Sequence, residues 1–159
     1  MQLTLSKIKI EKANPEDWQE ILEVMEETGR TFYFTGVENY EKFYLVRDPN
    51  IGRVICSFEI ESEDEIAVLK YLGVRKDLQG KGVGKYIVNK TPEFLKELGI
   101  KRLYASTWES FEFWERTVFK EIKKSDVKDK FFLKYLSDLE KDYPERYKNI
   151  KSYLVKTSD

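Results

Sequence analysis

The sequence predicts an α+β fold, a mixed sheet that is mostly antiparallel, holds one parallel pair and is flanked by helices. Three observations predict it. The stretch from Ile66 to Leu98 reads as a strand, a glycine-containing loop and a helix. Ahead of it, Lys42 to Arg47 and Arg53 to Ile60 read as strands joined by the turn Asp48-Pro49-Asn50-Ile51-Gly52, so with the Ile66 strand they form an antiparallel meander. Behind it, Lys101 to Thr107 is a further strand reached through the helix. Such a crossover makes the Ile66 and Lys101 strands parallel neighbours.

The remaining elements follow in order. Leu5 to Lys12 alternates apolar and charged residues and is a strand. Asn14-Pro15-Glu16-Asp17 starts a helix, with Asn14 as cap, Pro15 in the first position and acids in the first turn. That helix carries Trp18, Ile21, Leu22 and Met25 on one face and stops near Gly29. Arg30 to Tyr40 has no period but is aromatic (Phe32, Tyr33, Phe34, Tyr40), and reads equally as a flap over the sheet edge or a specificity loop. Glu61 to Glu65 is an acidic hairpin tip. The helix from Gly82 to Leu98 turns Val83, Ile87, Val88, Phe94, Leu95 and Leu98 to one face, and Gly99 caps it. Trp108 to Val118 is a short helix and Val118 to Lys123 a strand. Val127 to Asp142 is a helix striped with Phe131, Phe132, Tyr135, Leu136 and Leu139, for core or for a homodimer contact. Pro144 interrupts it, and Ile150 to Lys156 is the last strand. The expected organisation is one domain over residues 1–159, with an extra helical segment at about 125–145.

Composition narrows the function. With 28 basic and 29 acidic residues the net charge is −1, so no bulk field favours nucleic acid or a membrane surface. No apolar run reaches membrane-spanning length. The single cysteine, Cys56, excludes an internal disulfide framework and suits a reducing cytoplasm. The chain has no histidine, which excludes Ser-His-Asp and Cys-His catalysis and removes the commonest zinc ligand, so no metal is expected.

The joint between the Ile66 strand and its helix is Gln79-Gly80-Lys81-Gly82-Val83-Gly84-Lys85. Alternating glycines let backbone amides turn inward as an anion nest. The helix N-terminus adds partial positive charge, and Lys81 and Lys85 add full charge. The stretch is built for a phosphate or pyrophosphate. It is no P-loop, because Gln79 stands at the first glycine and Tyr86 follows Gly84-Lys85. It is no dinucleotide fingerprint either, because the glycines are spaced G-x-G-x-G.

Gln79, Gly82 and Gly84, in a [Q/R]-x-x-G-x-[G/A] pattern after a strand ending in Val74, resemble the acetyl-CoA pyrophosphate loop of the GNAT superfamily of N-acetyltransferases. Ser110, Phe113, Trp114, Glu115, Arg116 and Phe119 resemble a second GNAT pattern, with Val118 in place of its usual glycine. The resemblance implies the GNAT fold, with the two parallel strands splayed around acetyl-CoA. It implies that backbone groups of Leu72, Gly73 and Val74 bind the pantetheine at a strand bulge that Gly73 permits, and that Gln79, Gly80, Lys81, Gly82, Val83, Gly84 and Lys85 hold the pyrophosphate. Thr107, Ser110 and Trp114 are further implied cofactor contacts. Many relatives protonate the thiolate with a tyrosine where this chain has Trp114, so Tyr71 and Tyr104 become the candidate acids. Some place a glutamate base near the position of the apolar Val68; here Glu65 and Glu59 lie at strand ends, where each reads either as a base acting through water or as a solvated carboxylate, and Glu59 is carried as the candidate.

Ala67 to Val74 and Arg102 to Arg116 further resemble amino-acid N-acetyltransferases of the N-acetylglutamate-synthase type, in which an arginine takes the place of Lys70. That likeness implies an amino-acid acceptor held by Lys70, with Phe32, Tyr33 and Phe34 as one wall. A carboxylate-bearing acceptor would use Lys70 and Arg30. A cationic amine would use Glu38, Glu41, Glu59 and Glu61. Peptide N-termini, lysine side chains and polyamines stay open as acceptors, as does a non-catalytic acyl-CoA-binding domain.

Overall fold

The computed structural model describes residues 3–29, 40–107 and 111–157. Twelve elements position the site: β1 (Ile10–Lys12), α1 (Trp18–Glu27), β2 (Phe43–Arg47), β3 (Val54–Glu63), β4 (Ile66–Val74), α2 (Val83–Lys96), β5 (Arg102–Thr107), α3 (Glu112–Glu115), β6 (Lys120–Ile122), α4 (Lys130–Asp142), α5 (Pro144–Lys148) and β7 (Ser152–Thr157). The seven strands form one mixed sheet in the order β1-β2-β3-β4-β5-β7-β6. β4 and β5 are the parallel pair, with Ile66 to Val68 opposite Arg102 to Tyr104. The β2–β3–β4 meander and the βαβ crossover are both present. Beyond the sequence expectation, β7 returns to lie between β5 and β6.

The chain divides into two compact units, Met1–Ile60 with Lys70–Ile87, and Glu61–Leu69 with Val88–Asp159. β3, β4 and α2 each run from one into the other. The first unit is built on a cluster of Ile21, Val24 and Met25 from α1 with Phe43 and Leu45 from β2 and Val54 from β3. Trp18 and Tyr71 pack against it. Each fully buried side chain of this size stabilises by about 1.5–3 kcal/mol. The cap of α1 forms as its sequence demands, Asn14 N donating to Asp17 Oδ2 at 2.8 Å, although the first turn (Pro15–Asp17) is 3-10 rather than α.

The second unit centres on Val68, Tyr104, Val127, Phe132 and Leu136. The aromatic stripe of α4 is therefore core: Phe132 and Leu136 are fully buried, and Phe132 stacks on Tyr104 with centroids 4.3 Å apart. Several expected boundaries move. Only Ile10–Lys12 of the first strand is extended, Leu5–Lys7 being a 3-10 turn. The acidic tip shrinks to Asp64-Glu65, because β3 continues to Glu63. α2 ends at Lys96, which leaves Leu98 exposed while Thr91 and Pro92 are buried. Within the described residues the Trp108–Val118 helix is Glu112–Glu115 alone.

Candidate functional site

The phosphate-loop prediction rests on backbone groups. In the loop, Gly80 (φ 77°) and Gly82 (φ 80°) both adopt the left-handed conformation, and a Cβ on either would meet nothing within 4 Å. The need for glycine there is conformational, since an L-residue pays about 1–2 kcal/mol for that geometry. Gly84 is already helical. Tyr86 N donates to Gly82 O at 3.0 Å, the first backbone bond of α2. Ahead of it, among the described residues, the amides of Gly80 to Lys85 donate to no backbone carbonyl. These are the orphan donors of a helix start, extended by the loop before it and flanked by the exposed Lys81 and Lys85. An anionic diphosphate fits this donor set.

Gln79 does not reach outward. Its Nε2 donates to Val74 O at 2.9 Å and closes the loop on the end of β4. Behind the loop lies a network that the sequence reading missed. Arg75 is 5 % exposed. Its Nε donates to Val54 O at 2.6 Å, and its guanidinium reaches Glu27 at 2.7 Å, Glu23 at 3.2 Å and Glu20 at 3.7 Å. Glu27 also accepts Lys76 N at 3.1 Å, and Glu20 accepts Val54 N at 2.8 Å. The Lys76 amide and the Arg75 guanidinium hold the Glu27 carboxyl below the usual carboxylate range, although burial opposes them. The signal was available: Glu20, Glu23 and Glu27 lie at helical spacing on α1 and want a cation.

Gly73, where the family resemblance implies a bulge in β4, is not among the residues with positive φ. Tyr71 is the residue with positive φ, 57°. Gly73 is needed for another reason. A Cβ there would stand 2.9 Å from Thr28 Oγ1 and 3.3 Å from Val24 Cγ1, so α1 packs directly on the β4 backbone. A non-glycine residue in the left-handed region costs about 1–3 kcal/mol and persists only when its surroundings impose it.

Three residues nominated from sequence for different roles, Lys70, Glu59 and Tyr71, come together on this part of the sheet. Lys70 Nζ lies 3.2 Å from Glu59 Oε1, with side chains 13 % and 9 % exposed. The same Nζ is 5.7 Å from the Tyr71 ring centroid. Glu59 is directly opposite Phe43 in the β2–β3 register, so its side chain is on the face that packs against α1. Leu72 is half-buried beside them and Val74 ends the strand.

The other nominated residues are placed differently. Tyr104 is in the second unit, and its hydroxyl donates to Asp129 Oδ2 at 2.5 Å, an oxygen that also accepts from Arg102 Nη1 at 2.7 Å. Burial first, and the Asp129 bond second, push the Tyr104 hydroxyl up to about 12. That hydroxyl, nominated from sequence as a candidate acid, is hydrogen-bonded to Asp129 within the second unit. Trp114 is buried edge-on to Phe119 at 5.2 Å and Phe113 at 5.4 Å. Thr107 ends β5, its carbonyl accepting Lys151 N at 2.8 Å. Phe32, Tyr33, Phe34 and Ser110 lie outside the described residues. Among the described residues no three metal-ligating side chains gather, and no helix is long and apolar enough to cross a membrane.

A mixed sheet with one parallel pair, an amide-lined glycine loop leading from the central strand into a helix, and a helix packed against the strand backbone define the GNAT acyltransferase fold. The profile of the "Acetyltransferase (GNAT) family" matches residues 9–118, and the chain belongs to that family. No curated protein matches the sequence. Among solved structures, the chain is similar to the N-acetylglutamate synthase of Neisseria gonorrhoeae complexed with coenzyme A and N-acetyl-glutamate (TM-score 0.69, 18 % identity, 96 % of this chain and 35 % of that one). It is also similar to a Mycobacterium tuberculosis protein in complex with CoA and NLQ (0.68, 19 %, 94 % and 98 %). A third is a GNAT-family acetyltransferase of Staphylococcus aureus (0.66, 17 %, 96 % and 99 %). The chain thus spans about a third of the gonococcal synthase and nearly all of the other two.

Proposed function

We propose that this chain is an acetyl-CoA-dependent N-acetyltransferase that transfers an acetyl group to a primary amine by direct attack in a ternary complex. The observation that carries the reading is the run of backbone amides from Gly80 to Lys85 that meets no backbone acceptor, at the start of α2 and between Lys81 and Lys85. Bound acetyl-CoA supplies an activated thioester. The chain's part is to hold it and to manage two protons. The loop amides and the two ammonium groups hold the diphosphate. The main chain of Leu72 to Val74 orients the acyl arm by hydrogen bonds. Glu59 accepts the proton of the acceptor ammonium on its carboxylate, and Tyr71 delivers a proton from its hydroxyl to the departing sulfur.

The test is thermal stabilisation by acetyl-CoA and by CoA, followed by thiol release with a panel of amines. Ligand at a hundred times its Kd stabilises by about 2.7 kcal/mol, a rise in Tm of roughly 5–10 °C at this size. Gly82→Val is expected to abolish that rise while the unliganded protein still folds. No stabilisation of the wild-type chain by either ligand would refute the reading. Trp114 buried against Phe119, where relatives carry a tyrosine acid, favours a second reading, an acyl-CoA-binding domain without turnover. Stabilisation without thiol release on any amine would select it.

A further inference from the structure

We propose that Glu27, at the end of α1, is a positioning residue for the cofactor loop: it ties the Lys76 amide to the Arg75 guanidinium and so fixes where the amides of Gly80 to Lys85 stand. This deepens the acetyltransferase reading and rests on it, because the anion those amides would meet is the diphosphate of acetyl-CoA.

The loop between β4 and α2 has two halves of opposite character. From Arg75 to Gln79 it is tied down repeatedly. Arg75 N donates to Ile55 O at 2.9 Å, Lys76 N to Glu27 Oε1 at 3.1 Å, Leu78 N to Arg75 O at 3.0 Å, and Gln79 Nε2 to Val74 O at 2.9 Å. Asp77 is gripped by Arg53 at 3.0 Å and 3.3 Å. From Gly80 to Lys85, among the described residues, no amide meets a backbone acceptor. Gly80 and Gly82, both in the left-handed region, give that half little stiffness of its own. Its placement is inherited from the half before it. Of the ties just named, the Lys76 amide alone reaches across to α1, to a carboxylate 49 residues earlier.

Charge gives Glu27 no direct part in holding an anion, since a carboxylate near a diphosphate repels it. Arg75 gives no direct help either. Its Nε is engaged by Val54 O, its Nη1 by Glu27 and its Nη2 by Glu23. What the contacts leave to Glu27 is mechanical. Its two oxygens hold different partners, Oε1 the Lys76 amide and Oε2 the Arg75 guanidinium. Glu23, one turn earlier, pairs with the same guanidinium and, among the described residues, with no loop amide. The two acids are thus matched in charge and in cation and differ in their contact with the loop. Both side chains are partly exposed, 31 % and 48 %, so either can be shortened without opening the core.

The experiment is calorimetric titration of CoA into the full chain, as wild type, Glu27→Ala, Glu27→Gln and Glu23→Ala, with the unliganded Tm of each. Glu27→Ala is expected to weaken CoA binding about 10-fold although it removes a negative charge, the opposite of what simple electrostatics gives. Glu27→Gln loses the same charge but keeps an oxygen for Lys76 N, and should bind within about threefold of wild type or tighter, as should Glu23→Ala. In the unliganded proteins, hydrogen exchange over residues 76–79 should quicken in Glu27→Ala and not in the other two variants. Binding by Glu27→Ala at wild-type strength or tighter, equal weakening by Glu23→Ala, or failure of Glu27→Gln to restore binding would overturn the proposal. So would an unliganded Tm for Glu27→Ala well below that of Glu23→Ala, which would assign Glu27 to the fold. A wild-type chain that binds no CoA would overturn the acetyltransferase reading as well, whereas normal wild-type binding with unaltered Glu27→Ala would overturn the positioning role alone.

Discussion

Tyr71 and Tyr104 are the same residue type on neighbouring strands, and their surroundings are opposite in kind. Tyr104 is 2 % exposed, stacked on Phe132 and bonded to Asp129, which Arg102 also grips. Every polar and apolar need of that side chain is met inside the second unit. Tyr71 is half-buried, strained in its backbone and next to a charged pair. The first arrangement lowers the energy of the fold. The second raises it and is held in place by the α1 cluster behind it. A tyrosine nominated for chemistry is better judged by what its backbone costs than by its distance along the chain from a motif.

The contrast can be broken most severely on the Tyr104 side. Phe132→Ala removes the ring beneath Tyr104 from a fully buried position and should cost about 3–5 kcal/mol, read as a shift in the urea midpoint. Next in size is the pair of conservative changes that separates the two roles. Tyr71→Phe should lower kcat for acetylation at least ~10-fold, within the range of a lost general acid, while leaving Tm nearly unchanged. Tyr104→Phe should do the reverse, costing about 1 kcal/mol of stability with kcat intact. Equal effects of the two substitutions on kcat would erase the distinction.

Titration sharpens it further. Burial acts to raise the Asp129 carboxyl, but the Tyr104 hydroxyl and Arg102 guanidinium outweigh it and hold the folded value below the usual one of about 3.9. Asp129 therefore contributes its full stabilisation above that ordinary value, and loses it as pH falls through the depressed folded one. Stability against pH for wild type and Asp129→Asn should differ at neutral pH and converge in acid. Tyr104 has the opposite sign. Its folded value, raised to about 12 from about 10, gives a contribution present below pH ~10 and lost as pH rises through about 12. Ultraviolet titration should show one fewer late-ionising tyrosine in Tyr104→Phe, with Tyr153, also raised to about 12, still late. The smallest expected effect lies on β3. Ser57 is fully buried and its hydroxyl has no hydrogen-bond partner, so Ser57→Ala should be neutral or stabilising by up to about 1 kcal/mol in the same denaturation assay.

Much of this was legible in the sequence because it depended on local pattern. The strand–glycine loop–helix run, the meander and the crossover followed from period and turn chemistry, and so did the family. What stayed hidden depended on partners far apart in the chain. Nothing around Arg75 announces that its guanidinium will turn inward to Glu20, Glu23 and Glu27, about fifty residues earlier. The family resemblance implies a bulge at Leu72 to Val74, which Gly73 would permit. The structure spends that glycine on contact with Thr28 and imposes the positive φ on Tyr71. Lys70 and Glu59 were each weighed alone, because strand register, which makes them a pair, is a tertiary property.

The place of β7 bears on how the protein is made. β5 pairs along its whole length with a strand that follows about fifty residues later, and β6 pairs with that same strand. At a synthesis rate of 5–20 residues per second, the β7-facing edge of β5 stands without its native partner for roughly 3–10 seconds as the chain leaves the ribosome. Open strand edges are templates for association with other chains. The second unit should accordingly close late and slowly, as non-local pairing dictates, and its yield in the cell should respond to chaperone supply and growth temperature more than its final stability would suggest.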